Sequence, residues 1–181
     1  MAKKQTGGTP ATVALNRAGV AYTLHPYDRG QASGRPRGAS GLMGGSKVER
    51  RDQSYGEEAA AALGLDQAQV FKTLMAMVDG RLTVAVVPVS GKLDLKALAR
   101  AVGGGKAAMA EVAAAERATG YVAGGISPVG QKRAHPTVLD SSALQFPVVY
   151  VSAGRRGLDL GIAPADLVAI TGAITAEIGR G

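Results

Sequence analysis

The residue whose setting most restricts its chemistry is Lys72, which interrupts the apolar run Val70-Phe71-Lys72-Thr73-Leu74. Alternation along a strand puts it on one face with Val70 and Leu74, so its ammonium must snorkel to an edge, pair with a carboxylate or enter a cavity. In a cavity it becomes an anion ligand. A second candidate is the loop Gly124-Gly125-Ile126-Ser127-Pro128-Val129-Gly130. Its glycines admit a ligand close to the backbone, Pro128 fixes a turn and Ser127 offers a hydroxyl, while exposed N–H groups suit a carbonyl oxygen or a phosphate. An ordinary tight turn would use the same residues.

Other chemistries are excluded or weak. The chain of 181 residues has no cysteine, which removes disulfides, thiolate zinc sites and any cysteine nucleophile of its own. Its two histidines, His25 beside Pro26 and His135 after Lys132-Arg133, are not in metal-ligand spacing and read as structural or surface residues. Gly103-Gly104-Gly105-Lys106 lacks the frame of a phosphate-binding loop. Neither a metal nor an organic cofactor is expected.

The formal net charge is +7, which favours polyanionic partners. Between Arg29 and Asp52 six basic residues face two acidic ones, so this stretch supplies +4 of it, as a nucleic-acid contact or as a solubilising loop. No apolar run approaches the roughly 20 residues that cross a bilayer, and Met1-Ala2-Lys3-Lys4-Gln5 lacks a hydrophobic signal core. The expectation is a cytoplasmic protein with no membrane partner.

These candidates need elements to hold them. Thr9-Pro10 predicts a helix start and Gly19 its end; Val20–Tyr27 alternates as a strand. Residues 29–52, rich in Gly, Ser and Arg, read as a mobile insertion. Glu57–Leu63 predicts a helix, and Val70–Val78 and Leu82–Val89 predict a strand pair turning at Asp79-Gly80. Asp94 caps a helix through Val102, Met109–Ala118 forms another, Pro147–Ser152 and Leu158–Ile162 are strands, and Pro164–Ile178 closes the chain as a helix. Helices and strands mix without βαβ alternation, which predicts an α+β fold. The length suits a single domain over residues 9–181, preceded by a flexible N-terminus at 1–8.

Read together, these segments resemble the YbaK/EbsC family of aminoacyl-tRNA editing domains, relatives of the editing insertion in bacterial prolyl-tRNA synthetases. The resemblance rests on Thr9-Pro10-Ala11, Tyr27, Tyr55-Gly56-Glu57, Val70-Phe71-Lys72-Thr73-Leu74, Thr119-Gly120-Tyr121, the loop from Gly124 to Lys132, Asp140, and Val151–Asp159. It implies a mixed β-sheet curled into an irregular barrel with flanking helices. The subgroup it is most similar to comprises free-standing deacylases of Cys-tRNA(Pro). There the cysteine thiol of the substrate attacks its own ester carbonyl, so no enzymic nucleophile is needed.

By matched position, the resemblance makes Lys72, Ser127 and Gly125 the catalytic group. Lys72 would hold the terminal phosphate or the ester region, and the Gly124–Ser127 segment the carbonyl or the ribose. Tyr27, Tyr55, Thr73, Gly124, Ile126, Pro128, Gly130, Asp140 and Gly154 would bind substrate, with the tyrosines lining the pocket and Asp140 orienting Lys72 or the ribose. The implied partners are the CCA end of Cys-tRNA(Pro) and prolyl-tRNA synthetase in a ternary complex. Two alternatives stand beside this one: a broader Ala/Ser aminoacyl-tRNA hydrolase using water, and a non-catalytic tRNA- or synthetase-binding module.

Overall fold

The computed structural model describes residues 8–28 and 47–181. Helix α1 (Pro10–Ala18) starts in a capping box, in which Thr9 Oγ1 accepts from Thr12 N–H and Thr12 Oγ1 from Thr9 N–H. Thr9 Oγ1 also donates to Ala153 O at 2.6 Å, pinning the helix start to a distant strand. Strand β1 (Thr23–Pro26) is shorter than the alternation from Val20 suggests. Helix α2 spans Lys47–Leu63, so it begins at Lys47 rather than at Glu57, and residues 47–52 are helical where the sequence suggests a mobile insertion. Residues 29–46 of that stretch, and 1–7, lie outside the described residues.

Strands β2 (Phe71–Val78) and β3 (Arg81–Pro88) form the expected hairpin. Its two-residue turn places Asp79 at φ 49° and Gly80 at φ 82°, the left-handed pair that matches the twist of the flanking strands. The Asp79 carboxylate accepts from the N–H groups of Gly105 and Lys106 at 2.8 and 2.9 Å, bonds that also hold its pKa below the usual carboxylate value. Beyond come β4 (Lys92–Leu93), α3 (Leu95–Ala101) capped by Asp94, β5 (Ala107–Met109) and α4 (Val112–Thr119). Then follow β6 (Thr137–Asp140), a 3-10 turn at Ser141–Gln145, β7 (Val149–Arg155), β8 (Leu158–Ile162) and α5 (Pro164–Thr171). The chain closes with β9 (Ile174–Ala176) and β10 (Gly179–Arg180).

The closing helix thus stops at Gly172 instead of running to Ile178, because residues 174–176 add to a sheet edge beside β6 and 179–180 pair with β4. Strands β5 and β6 also went unannounced by pattern. The fold is α+β, as expected, with a mixed five-stranded sheet ordered β5-β2-β3-β6-β9, an antiparallel sheet β1-β8-β7 and the pair β10-β4. These sheets do not close into a barrel. A parallel bridge between Val70 and Tyr150 joins the two larger ones at a corner, and Tyr150 N–H donates to Gln69 O there.

Hydrophobic burial fixes the layers. Phe71, Met75, Val84, Val86 and Leu139 pack against Val149, Val151, Leu158, Leu160 and Ile162 between the two large sheets. On the opposite face, Leu74, Ala76, Val78, Ala85 and Val87 pack against Leu98 of α3, with Leu93 and Ile178. Strands β2 and β3 are therefore covered on both sides, which explains their continuous apolar runs.

Asp140, at the end of β6, is 5% exposed. One carboxylate oxygen accepts from Ile178 and Gly179 N–H at 2.9 and 2.8 Å, and the other accepts from the backbone and hydroxyl of Ser142. This carboxylate straps the C-terminal segment to the sheet. Asp140→Ala should therefore lower stability by about 3 kcal/mol, the scale of losing charge-assisted bonds and stranding their buried donors; urea denaturation at neutral pH measures it.

Candidate functional site

At the corner where the two large sheets meet, a cavity of about 50 Å³ opens, room for a few water-sized groups. Its walls come from four sources: Tyr27 after β1, Tyr55, Gly56 and Ala59 of α2, residues 70–73 at the start of β2, and Gly124 and Ile126 of the glycine loop. The floor adds Ser152 of β7 and Asp159 of β8.

Lys72 sits here because β2 leaves the layer beneath α3 at this end. Leu74, Ala76 and Val78, on the same strand face, lie in the α3 cluster, while Lys72 reaches the cavity. It is 7% exposed and its ammonium donates to Gly91 O at 2.9 Å. Its neighbour Thr73 is also buried, and Thr73 Oγ1 has no hydrogen-bond partner among the described residues. A buried hydroxyl left so is uncommon in native proteins and marks a place where a ligand or water completes the bonding.

Arg156 clasps Tyr55 against the glycine loop. The Arg156 guanidinium lies 5.0 Å from its ring centroid, and Arg156 Nε donates to Ala123 O at 2.7 Å. Gly124 follows Ala123 at φ 84°, and a Cβ there would come within 2.7 Å of the Tyr55 ring, so only glycine lets the loop close on the tyrosine. The same turn holds Tyr27, whose N–H donates to Gly157 O at 2.9 Å.

Of the residues singled out from sequence, Tyr27, Tyr55, Lys72, Thr73, Gly124 and Ile126 line the cavity. Ser127, Gly125, Pro128, Gly130, Asp140 and Gly154 are not among its lining residues. Ser127 is fully buried and its hydroxyl accepts from Val129 N–H at 3.2 Å, closing the turn. The Gly125 N–H donates to Val122 O, and a Cβ on it would meet the backbone of Arg155. Gly130 packs against the carbonyl of Pro10 and Gly154 against the ring of Tyr121. The Tyr121 hydroxyl, pushed up to about 12 by burial, donates to Val129 O at 2.6 Å and braces the loop from behind. The loop therefore shapes the wall through Gly124 and Ile126, while its remaining residues hold it in place.

Two polar lining residues, Ser152 and Asp159, lie in the Val151–Asp159 segment but have no site role in the sequence reading. Asp159 is 6% exposed, and burial pushes its carboxyl up to about 7. The signal was present in Leu158-Asp159-Leu160, a charge interrupting an apolar strand just as Lys72 does.

Residues 52–170 match the aminoacyl-tRNA editing domain family, and the chain belongs to it. Over 130 residues it is 40% identical to a protein of Enterococcus faecalis named "Putative Cys-tRNA(Pro)/Cys-tRNA(Cys) deacylase EbsC", covering 70% of this chain and 78% of that one. Among solved structures it is similar to a "putative trans-editing enzyme for prolyl tRNA synthetase", with TM-score 0.74 and 26% identity over 95% of this chain and 96% of that one. A hypothetical protein at TM-score 0.74 and 24% identity, covering 94% of this chain and 99% of that one, shares the fold.

Two outcomes follow from this geometry. The folded state favours the neutral Asp159 carboxyl, so that contribution is complete below the ordinary carboxyl range near 3.8 and is lost as pH rises to about 7. Against Asp159→Asn, the wild type should lose stability on the order of 4 kcal/mol from about pH 4 to about pH 7 and no more above it, read from paired denaturation curves. Arg156→Ala removes the clasp on Tyr55, a contact worth about 0.5–1 kcal/mol at an exposed site, and should raise the half-saturating aminoacyl-tRNA concentration several-fold with little change in melting temperature.

Proposed function

We propose that the chain is an editing deacylase that removes cysteine from Cys-tRNA(Pro), cleaving the aminoacyl ester with the help of the substrate's own thiol. The observation that carries this reading is the cavity: it is small, it holds Lys72 and the unpartnered Thr73 hydroxyl, and no histidine or cysteine is among the residues lining it. A site built this way positions an ester without supplying an activated nucleophile. The relative's name, the family and the thiol-bearing substrate point the same way.

In this reading the 3′-terminal aminoacyl-adenosine enters past Tyr27 and Tyr55, whose rings give the adenine a stacking surface. Lys72 attracts the terminal phosphate or polarises the ester region by its charge. Thr73 Oγ1 gains the partner it lacks. The size of the cavity excludes large side chains and leaves cysteine, alanine and serine to be separated by the reacting thiol. Bound close to its own carbonyl, the thiol attacks it, tRNA leaves, and a cyclic thiolactone of cysteine is released to hydrolyse in water. The CCA end is common to all tRNAs, so selection of tRNA(Pro) falls to a partner, for which prolyl-tRNA synthetase is the candidate.

Single-turnover release from Cys-, Ala-, Ser- and Pro-tRNA(Pro) tests the reading. Fast release of cysteine alone, reduced about 100-fold or more in a folded Lys72→Ala variant, is the expected result. Equal release from Ala- and Ser-tRNA(Pro) would replace it with a water-using deacylase of broader range, and no release from any substrate would leave a tRNA-binding module.

A further inference from the structure

A carboxyl group that the cavity buries has no role in the account above. Asp159 stands in β8 directly opposite Ser152 of β7 and His25 of β1. Opposed residues of antiparallel strands project to the same side, so a row His25–Asp159–Ser152 crosses the face that floors the cavity. Leu158 and Leu160, on the other side of the same strand, belong to the core between the sheets.

No donor among the described residues reaches the Asp159 carboxylate. Lys72 donates to Gly91 O, and the Ser152 hydroxyl accepts from Gly154 N–H at 3.2 Å. His25 Nε2 shares a 2.7 Å hydrogen bond with Thr23 Oγ1, its ring edge-on to Tyr150. The ionisable groups that face Asp159 from the packed elements are Lys72 of β2, Tyr27 after β1, Tyr55 of α2 and His25 of β1; the glycine loop offers Gly124 and Ile126, which do not titrate. A carboxyl buried in the wall of a ligand cavity, where desolvation disfavours its charged form, costs stability, and such groups concentrate where proton chemistry is done.

We propose that Asp159 is a catalytic residue that carries the proton from the substrate thiol to the departing ribose oxygen. This rests on the thiol-assisted reading above. The S–H bond breaks and its proton passes to the Asp159 carboxylate as sulfur forms a bond to the ester carbonyl carbon. The C–O ester bond then breaks with its electron pair leaving on the ribose oxygen, which takes the proton from Asp159. The products are a four-membered thiolactone of cysteine and tRNA with its terminal hydroxyl restored; Asp159 ends as the carboxylate it began as, and nothing else is consumed. An ordinary aspartate is far too weak a base for a thiol whose pKa is about 8.5. Burial narrows that gap by moving this carboxyl to about 7, where both of its forms are populated and one group can serve in both directions.

The test is single-turnover cysteine release from Cys-tRNA(Pro) between pH 5.5 and 9, at several enzyme concentrations, for the wild type, Asp159→Asn and Asp159→Glu. The expected result is a maximal rate about 100-fold or more lower in the Asn variant, loss of the pH limb near 7, an unchanged half-saturating concentration and partial recovery with Glu. A wild-type maximal rate and pH profile in the Asn variant overturns the proposal, and so does a defect confined to half-saturation, which would make Asp159 a ligand of the substrate ammonium. Carbon-13 NMR of aspartate carboxyls in the substrate-free protein gives a readout independent of turnover and of how the variants fold. A resonance titrating near 7 supports the role, and Asp159 titrating near 4 overturns it. If the wild type releases no cysteine while that resonance still titrates near 7, the functional reading itself has failed and the proton-transfer role falls with it.

Discussion

The corner where β2 meets β7 carries the central constraint: the fold buries Lys72 from one sheet and Asp159 from another in a single small cavity. Neither group is cheap to keep out of water. Lys72 is compensated by the Gly91 carbonyl and Asp159 by a shift toward its neutral form. The large apolar layers on both faces of β2 and β3 supply the stability that tolerates this cost. The Val70–Tyr150 bridge keeps the sheets in register at this place.

Around that corner, several elements converge on the turn between β7 and β8. Gly157 receives the Tyr27 N–H, while Arg156 reaches Ala123 O and covers Tyr55. Three walls contributed by distant parts of the chain thus hang on a few consecutive residues. Arg156 at this turn is exposed and sits over the Tyr55 ring, so it adds positive charge beside a cavity wall, where a polyanion would be attracted.

Support and contact are separated more sharply than motifs suggest. Ser127 and Asp140 carry groups that look reactive on paper, yet the Ser127 hydroxyl closes its own turn and the Asp140 carboxylate holds the C-terminal segment. Thr73, a modest residue in the motif, has the free hydroxyl. Buried polar side chains bond to the backbone groups that the fold places within reach, and what remains unbonded inside a cavity is what a ligand can use.

Local rules made much of the chain legible in advance. Thr9-Pro10 announced α1, Asp79-Gly80 the hairpin and Asp94 the start of α3, because caps and tight turns depend on neighbours a few residues apart. Lys72 was conspicuous because an ammonium in an apolar strand violates alternation. The short strands β5, β6, β9 and β10 were not legible, since their existence depends on a sheet edge contributed by remote segments, and Gly172 ends a helix whose apolar residues continue past it. Local residue order by itself determined caps, turns and the buried cation Lys72. Only the tertiary structure decided that Asp159 shares the cavity with Lys72 while Ser127 and Asp140 do not line it, because that choice is made by strand register and by which donors the fold brings to each oxygen.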